Sequence, residues 1–297
     1  MSTTVLFDTP GPRGRVRNHL LTAVSVLVVG GIAYWVYLGF DAKGQFEGKI
    51  WEPFLDPYTW ETWIIPGLIG TLRAAGLAAV LALAFGAIFG LARLSDHAWI
   101  RVPAGLVVEV FRAIPLLLLI FFIFYLAPAM MGGGDYAFMA VVLGLTLYNG
   151  SVLAEVVRAG VQAVPKGQSE AAYAVGMRKN QVMRLVLLPQ GVTAMMPAIV
   201  SQLVVLLKDT ALGYIIAYVD LLNTGFKILP AVFFGSLIPA AIVIGVIYVG
   251  LNMALSYLAH WFERRSRRSR KTAAAPVAPP GAEAIGLRSG GGLDSTD

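Results

Sequence analysis

A few polar side chains stand out in a chain that is otherwise apolar. Lys208, Asp209 and Thr210 end a long uncharged run. Asn149 and Ser151 lie inside another, and Glu155 is followed three residues later by Arg158. Nucleophilic catalysis by Ser151 needs a base within hydrogen-bond reach. The three histidines, His19, His97 and His260, all flank apolar runs, so each stands several turns from Ser151 and a hydrolase is disfavoured. The absence of cysteine excludes disulfides, iron–sulfur clusters and thiolate zinc sites. No HExxH pattern occurs, and no G-x4-GK[ST] phosphate loop. The chemistry left to these residues is binding, ion pairing and docking rather than bond breaking.

The elements that carry them are membrane helices. The 297 residues are 57% hydrophobic and 13% charged, against about 25% charged in soluble domains. Mean hydropathy is +0.72. Six uncharged runs of 19 to 32 residues follow one another: Leu20–Phe40, Ala74–Ala92, Ala113–Gly134, Tyr136–Ala154, Leu185–Leu207 and Ile228–Ala259. About 20 apolar residues make a helix that crosses the hydrocarbon core. None of the runs alternates with period two, which argues against a barrel. The expected fold class is an all-α integral membrane protein with six transmembrane helices.

Charge sets the expected orientation. Arg13, Arg15 and Arg17 precede the first run, which is long enough to remain as an anchor rather than be cleaved. The loop 41–63 is acidic and carries Trp51, Trp60 and Trp63. Arg93, Arg101 and Arg112 follow, then a short loop with Asp135, a basic stretch, a loop with Asp220 and Lys227, and a basic tail. Basic segments mark the cytoplasmic side, so both termini are expected there. The net charge of +6 is explained by this topology, and no nucleic-acid partner is implied. The tail after Lys271, rich in Pro, Ala and Gly, is expected to lack structure.

One polar stretch, 164–190, is longer than a linker needs. Pro165 and Gly167 should break the preceding helix, and Ser169 or Gln168 should cap a short helix over "SEAAYAVG". Gly176 should end it. Ala171, Ala172 and Ala174 keep its surface small, so another protein's groove can approach. Glu170 lies in its first turn, where a carboxylate suits the helix dipole. "NQVMRLVLLP" then leads back to the membrane through Pro189.

The spacing E-A-A-x3-G-x9-V-x-L-P, from Glu170 through Gly176 and Val186 to Pro189, resembles the EAA loop of ABC importer permeases. "GLIGTLRAA" (67–75), "FRAIPLLLL" (111–119), "AEVVRAGVQAVPKGQSEAA" (154–172) and "LLKDTALGYII" (206–216) are similar to the polar amino-acid branch. Ala113 and Ala211 depart from its usual glycine and serine. The extra first helix and basic, alanine-rich tail resemble glutamate-type permeases of actinobacteria.

The resemblance implies a membrane-spanning subunit of an ATP-driven importer of a polar amino acid such as glutamate or aspartate. Gly167, Glu170, Ala171, Ala172, Gly176 and Pro189 would form the coupling element. The partners would be two ATPase subunits, a second permease subunit (itself or a sister chain) and an external amino-acid-binding protein. This chain would hold no cofactor, ATP being bound by a partner. It would sit in the bacterial inner membrane as a segment 1–19, an accessory helix 20–40, an external loop 41–63, a transport domain 64–260 with its loop at 161–190, and a tail 261–297. A secondary transporter needing no ATPase is the alternative, against which no internal repeat is evident.

The remaining polar residues keep two readings each. Lys208, Asp209 and Thr210 lie about 28 Å along the helix from Pro189, where they either snorkel at the interface or shape a gate or substrate path. Adjacent helical residues do not face each other, so Lys208 and Asp209 need not pair. Asn149 either bonds a neighbouring helix or touches substrate. Glu155 and Arg158, and likewise Glu109 and Arg112, share a helix face at i,i+3, as local pairs or gate contacts. Pro115 should kink the third helix, and Pro197 invites the same reading in the fifth. Gly76, Gly86 and Gly90 are expected to be close-packing positions.

Overall fold

The structure is a computed structural model that describes residues 11–271, with the side chains of Ala259, His260 and 262–271 left aside. The tail beyond Lys271 lies outside the described residues. Among them the chain is helical: α1 (Pro12–Asp41), α2 (Ile65–Ala92), α3 (Ala98–Ala113), α4 (Leu116–Met131), α5 (Ala137–Gln162), α6 (Lys166–Ala174), α7 (Leu188–Asp209), α8 (Leu221–Val232) and α9 (Leu237–Lys271). Each of the six uncharged runs falls largely within one of α1, α2, α4, α5, α7 and α9. Among the described residues five helical stretches are long and apolar enough to cross a membrane, or six if the bent pair α3–α4 is one span.

That pair corrects one expectation. Pro115 does not kink a continuous helix. It separates α3 from α4, and the two axes differ by 98°. Pro115 has extended backbone (ψ 133°) at the start of α4, and proline also pushes Ile114 out of the helical region (ψ 125°). α3 was not expected as an element, because its charges hide it from a search for uncharged runs.

The chain divides into two units. One comprises Met1–Arg73 and Ala211–Val249. No residue of α1 is buried. Here Asp220 caps α8, its carboxylate accepting from the Asn223 amide at 2.6 Å. Thr71 Oγ1 accepts from the Leu221 amide at 2.9 Å, and Tyr218 Oη donates to the Gly70 carbonyl at 2.8 Å. Gly67 and Gly70 leave no room for a side chain against Thr224 and Val219.

The other unit comprises Ala74–Thr210 and Gly250–Asp297, with α5 at its centre, packed against α3, α4 and α7. α5 offers glycines to its neighbours. A Cβ on Gly144 would lie 2.6 Å from Ile120 of α4, one on Gly150 2.9 Å from Phe85 of α2, and one on Gly160 2.8 Å from Met195 of α7. Small residues of this kind allow helix backbones to approach closely. Gly86 and Gly90 meet α5 from the other side as expected, against Leu153 and Val157, whereas Gly76 has open space and is no packing position.

Candidate functional site

The stretch 164–190 forms α6, held out from the end of α5. Pro165, with φ −54° and ψ 132°, turns the chain and stands immediately before the helix. Gly167 is therefore inside α6 rather than breaking the helix before it. Ser169 is no cap, because its hydroxyl donates back to the Lys166 carbonyl at 2.8 Å. The end is as expected. Gly176 has φ +82°, a conformation that costs a residue with a Cβ. The Gly176 amide donates to the Tyr173 carbonyl at 2.9 Å and the Met177 amide to Ala172 at 3.2 Å, the two bonds of a Schellman closure.

The alanines of α6 divide. Ala172 is buried against its own unit, 6% exposed, while Gly167, Glu170, Ala171 and Ala174 face outward. Ala172 therefore seats α6, and only the others can meet a partner. Tyr173, at 49% exposure, and Val175, at 77%, add apolar contact surface beside them. Sequence reasoning passed over both, although their place inside an otherwise polar stretch marks them. After α6 the Arg178 amide donates to Gln181 at 2.8 Å, and residues Val182–Leu187 form a π-type turn that leads into α7. Such turns recur at functional sites. Pro189 is exposed at the first turn of α7, and its missing N–H falls where the π-type turn passes into the α-helix.

The last turns of α5 carry an ion-pair hub. Glu155 receives Arg158 of its own helix, with Nε at 3.1 Å from Oε1, and Arg93 from the turn after α2 at 3.0 Å. Arg112 approaches the same carboxylate at 4.0 Å. Arg93 also reaches Glu109 at 3.3 Å. The expected i,i+3 pair of Glu155 with Arg158 is present, but Glu109 and Arg112 look to other elements instead of each other. Lys179 pairs with Asp96 in the turn after α2. That bond, above the weaker influence of His97 and Arg101, holds the Asp96 carboxyl below its ordinary range.

A second polar group lies between α5 and α7. Asn149 is fully buried and accepts a hydrogen bond from Gln202 at 2.6 Å. Its amide nitrogen faces the Asp209 carboxylate without closing a full hydrogen bond. Thr210 is buried, its hydroxyl donating to the Leu207 carbonyl at 2.7 Å. Lys208 is exposed while Asp209 is half-buried, and no ion pair joins them among the described residues, in keeping with their adjacent helical positions. Structure thus brings together Asn149, Asp209 and the unanticipated Gln202, and turns Lys208 away. Ser151 donates to the Leu147 carbonyl at 2.7 Å, a local bond that explains its burial.

Residues 82–268 match the family described as binding-protein-dependent transport system inner membrane component. This chain belongs to that family. It is 42% identical over 241 residues to the glutamate transport system permease protein GluD of Corynebacterium glutamicum, covering 80% of this chain and 88% of the relative. It is 28% identical over 211 residues to the glutamate/aspartate import permease protein GltK of Escherichia coli, covering 69% and 93%. The fold is similar to that in the crystal structure of an amino acid ABC transporter with histidines, with a TM-score of 0.65, 32% identity, and coverage of 71% of this chain and 98% of the other. The chain is accordingly an integral membrane ABC permease with several apolar helices, and its family works with ATPase and substrate-binding partners.

Proposed function

We propose that this chain is the membrane-spanning subunit of an ATP-driven importer of a polar amino acid, with glutamate or aspartate the favoured cargo, and that α6 is its coupling helix. The observation that carries this is the form of α6: a short helix seated by one buried alanine, closed by Gly176, and presenting Gly167, Glu170, Ala171, Tyr173 and Val175 to solvent. An outward face of small and apolar residues around one carboxylate suits the groove of a partner ATPase. The chain carries no phosphate loop of its own, so nucleotide energy enters through that partner. Closure of two ATPases would move two such helices and rock rigid bodies of the pore. A second permease subunit completes the pore, and an external binding protein delivers the amino acid. The basic segments of the sequence support a cytoplasmic position for α6 and for both termini.

Asn149, Gln202 and Asp209, with Thr210 close in sequence, form the substrate path or gate under the same proposal. A buried amide and carboxylate between two helices are costly unless partnered, and Asn149 keeps an amide nitrogen free of a full bond. A polar amino acid offers the donors and acceptors that such a group lacks. Lys208, being exposed, would act at the mouth rather than within.

The test is composition. The tagged chain, extracted gently from its membrane, should carry a P-loop ATPase, and Glu170→Arg should lose that ATPase while keeping the same membrane level and helicity. Retention of the ATPase by the variant would move the docking surface away from α6. Failure of the native chain to carry any ATPase would sink the coupled-importer reading.

A further inference from the structure

The turn after α2, one side of α3 and the end of α5 border an open cleft of about 490 Å³, lined by Arg93, Arg101, Val102, Leu106, Glu109 and Arg158 among others. Its electrostatics are unbalanced. Three arginines, Arg93, Arg101 and Arg158, line it together with the carboxylate of Glu109, and Glu155, outside the lining, pairs with Arg93 and Arg158. Arg101 gives one nitrogen to the backbone carbonyls of Ser95 and Asp96, at 3.1 and 3.4 Å; the Asp96 carboxylate feels its charge but is itself paired with Lys179, and no ion pair holds Arg101 among the described residues. The cleft is therefore short of anionic charge, and a planar, permanently charged guanidinium favours phosphate oxygens.

Its other wall is apolar. α3 exposes Trp99, Val102, Leu106 and Val110, at 75, 62, 64 and 43%. Their spacing of three, four and four residues puts them on one face. α4, uncharged throughout, lies 98° from α3. If α4 runs along the bilayer normal, α3 lies along the bilayer surface. A helix with arginine on its polar side and Trp, Leu and Val on the other rests at the headgroup level. Val102 and Leu106 belong both to this stripe and to the cleft, so the basic site opens onto the place where acyl chains begin.

We propose that the cleft binds an anionic phospholipid of the leaflet on the α6 side, its phosphate between Arg101 and Arg158 and an acyl chain along Val102 and Leu106. Both walls are needed for this choice. A free phosphate ion would use the arginines and gain nothing from the apolar stripe. Basic pockets at the cytoplasmic ends of membrane helices are suited to such headgroups. Gly105 keeps the cleft open, since a Cβ there would meet only the Arg93 Nε at 4.0 Å.

The experiment uses the complete transporter in nanodiscs of equal phosphatidylglycerol and phosphatidylcholine. Native mass spectrometry counts the lipids that stay bound per permease subunit. Wild type should retain phosphatidylglycerol over phosphatidylcholine. Arg101→Gln should lower that retention about fivefold, the worth of one basic residue near an anionic surface, and Arg101→Lys should restore much of it. Gly105→Leu fills the cleft without touching a charge and should lower retention as well, which keeps the test open if Arg101→Gln folds poorly. Equal retention in wild type and Gly105→Leu, or no preference for phosphatidylglycerol, would overturn the proposal. So would displacement of the lipid by millimolar inorganic phosphate, which would name a free anion as the occupant. Retention that appears only after the ATPase is stripped away would also overturn it, by assigning the cleft to a protein interface. None of these outcomes depends on the cargo.

Discussion

α5 and α6 follow each other in the chain with three residues between them, and they are built to opposite ends. Two thirds of the most apolar window of α5 is buried, with glycines fitted against three other helices and the carboxylate of Glu155 surrounded by arginines. In α6 only Ala172 is buried. A change in α5 therefore acts on the fold, whereas a change on the outer face of α6 leaves the fold alone and acts on whatever docks there. The boundary between them is Pro165, which ends one hydrogen-bonded ladder and begins the next.

The largest effect belongs to the α5 side. A Cβ on Gly90 would lie 2.8 Å from the Ala154 carbonyl oxygen and 2.7 Å from the Val157 Cβ. The first of these is backbone and cannot rotate away, so α2 and α5 must part. Gly90→Leu should cost about 1–3 kcal/mol or more, seen as a lower melting temperature in detergent and a lower membrane level. Gly76→Leu, on the same helix but facing open space, should leave both near wild type. Equal damage from the two would mean that helix composition, not close approach, sets stability here.

A buried carboxylate extends the same contrast to the other unit. Asp220 is fully buried, one oxygen capping α8 and the other without a hydrogen-bond partner. Burial pushes its pKa up from 3.8 to about 7. The folded form thus holds a proton that the unfolded chain releases near pH 4, and stability should fall as pH rises from about 4 to about 7. Asp220→Asn keeps the cap and removes the titration. Its melting temperature should match wild type near pH 4 and exceed it at pH 8. A variant that is less stable than wild type at pH 8 would show that the ionised carboxylate is stabilised by a charge such as that of Lys227.

On α6 the expected loss is one of coupling. Valine at position 176 would have to adopt φ near +82°, at a cost of about 1–2 kcal/mol confined to the end of a short helix. Gly176→Val should lower the melting temperature little and abolish ATP-driven uptake, while Gly176→Asn, which tolerates this conformation, should retain much of it. Loss of the folded protein in Gly176→Val would show that α6 is part of the core and erase the distinction from α5.

Much of this architecture is legible in sequence, for identifiable reasons. An uncharged run is a local property, and each of the six runs falls largely within a helix. Gly176 is legible because a left-handed closure demands glycine. α3 escaped because Arg101, Glu109 and Arg112 interrupt it, although Trp99, Val102, Leu106 and Val110 keep helical spacing. The site was legible in part. Its outward residues lie in one continuous stretch, but which alanine turns inward depends on packing. The Glu155 hub joins residues up to 62 positions apart, Arg93 to Glu155, and Gln202 meets Asn149 across 53. No spacing rule within one helix reaches that far.

The smallest effect is expected at Asp96. Its bond to Lys179 ties the root of the segment after α6 to the turn after α2. Because Lys179 holds its pKa down, the pair contributes above the ordinary carboxylate range and is lost as pH falls through it. At pH 7 the contribution is fully present, yet both side chains are exposed, at 71 and 45%, and solvent and salt screen such pairs strongly. Asp96→Asn should therefore leave melting temperature and uptake at wild-type values at pH 7, in low and high salt alike. Loss of uptake with an unchanged melting temperature would be informative in the other direction. Lys179 stands three residues before the π-type turn, so such a loss would make that turn a moving part, anchored at Asp96, and would extend the coupling element beyond α6 to the root of α7.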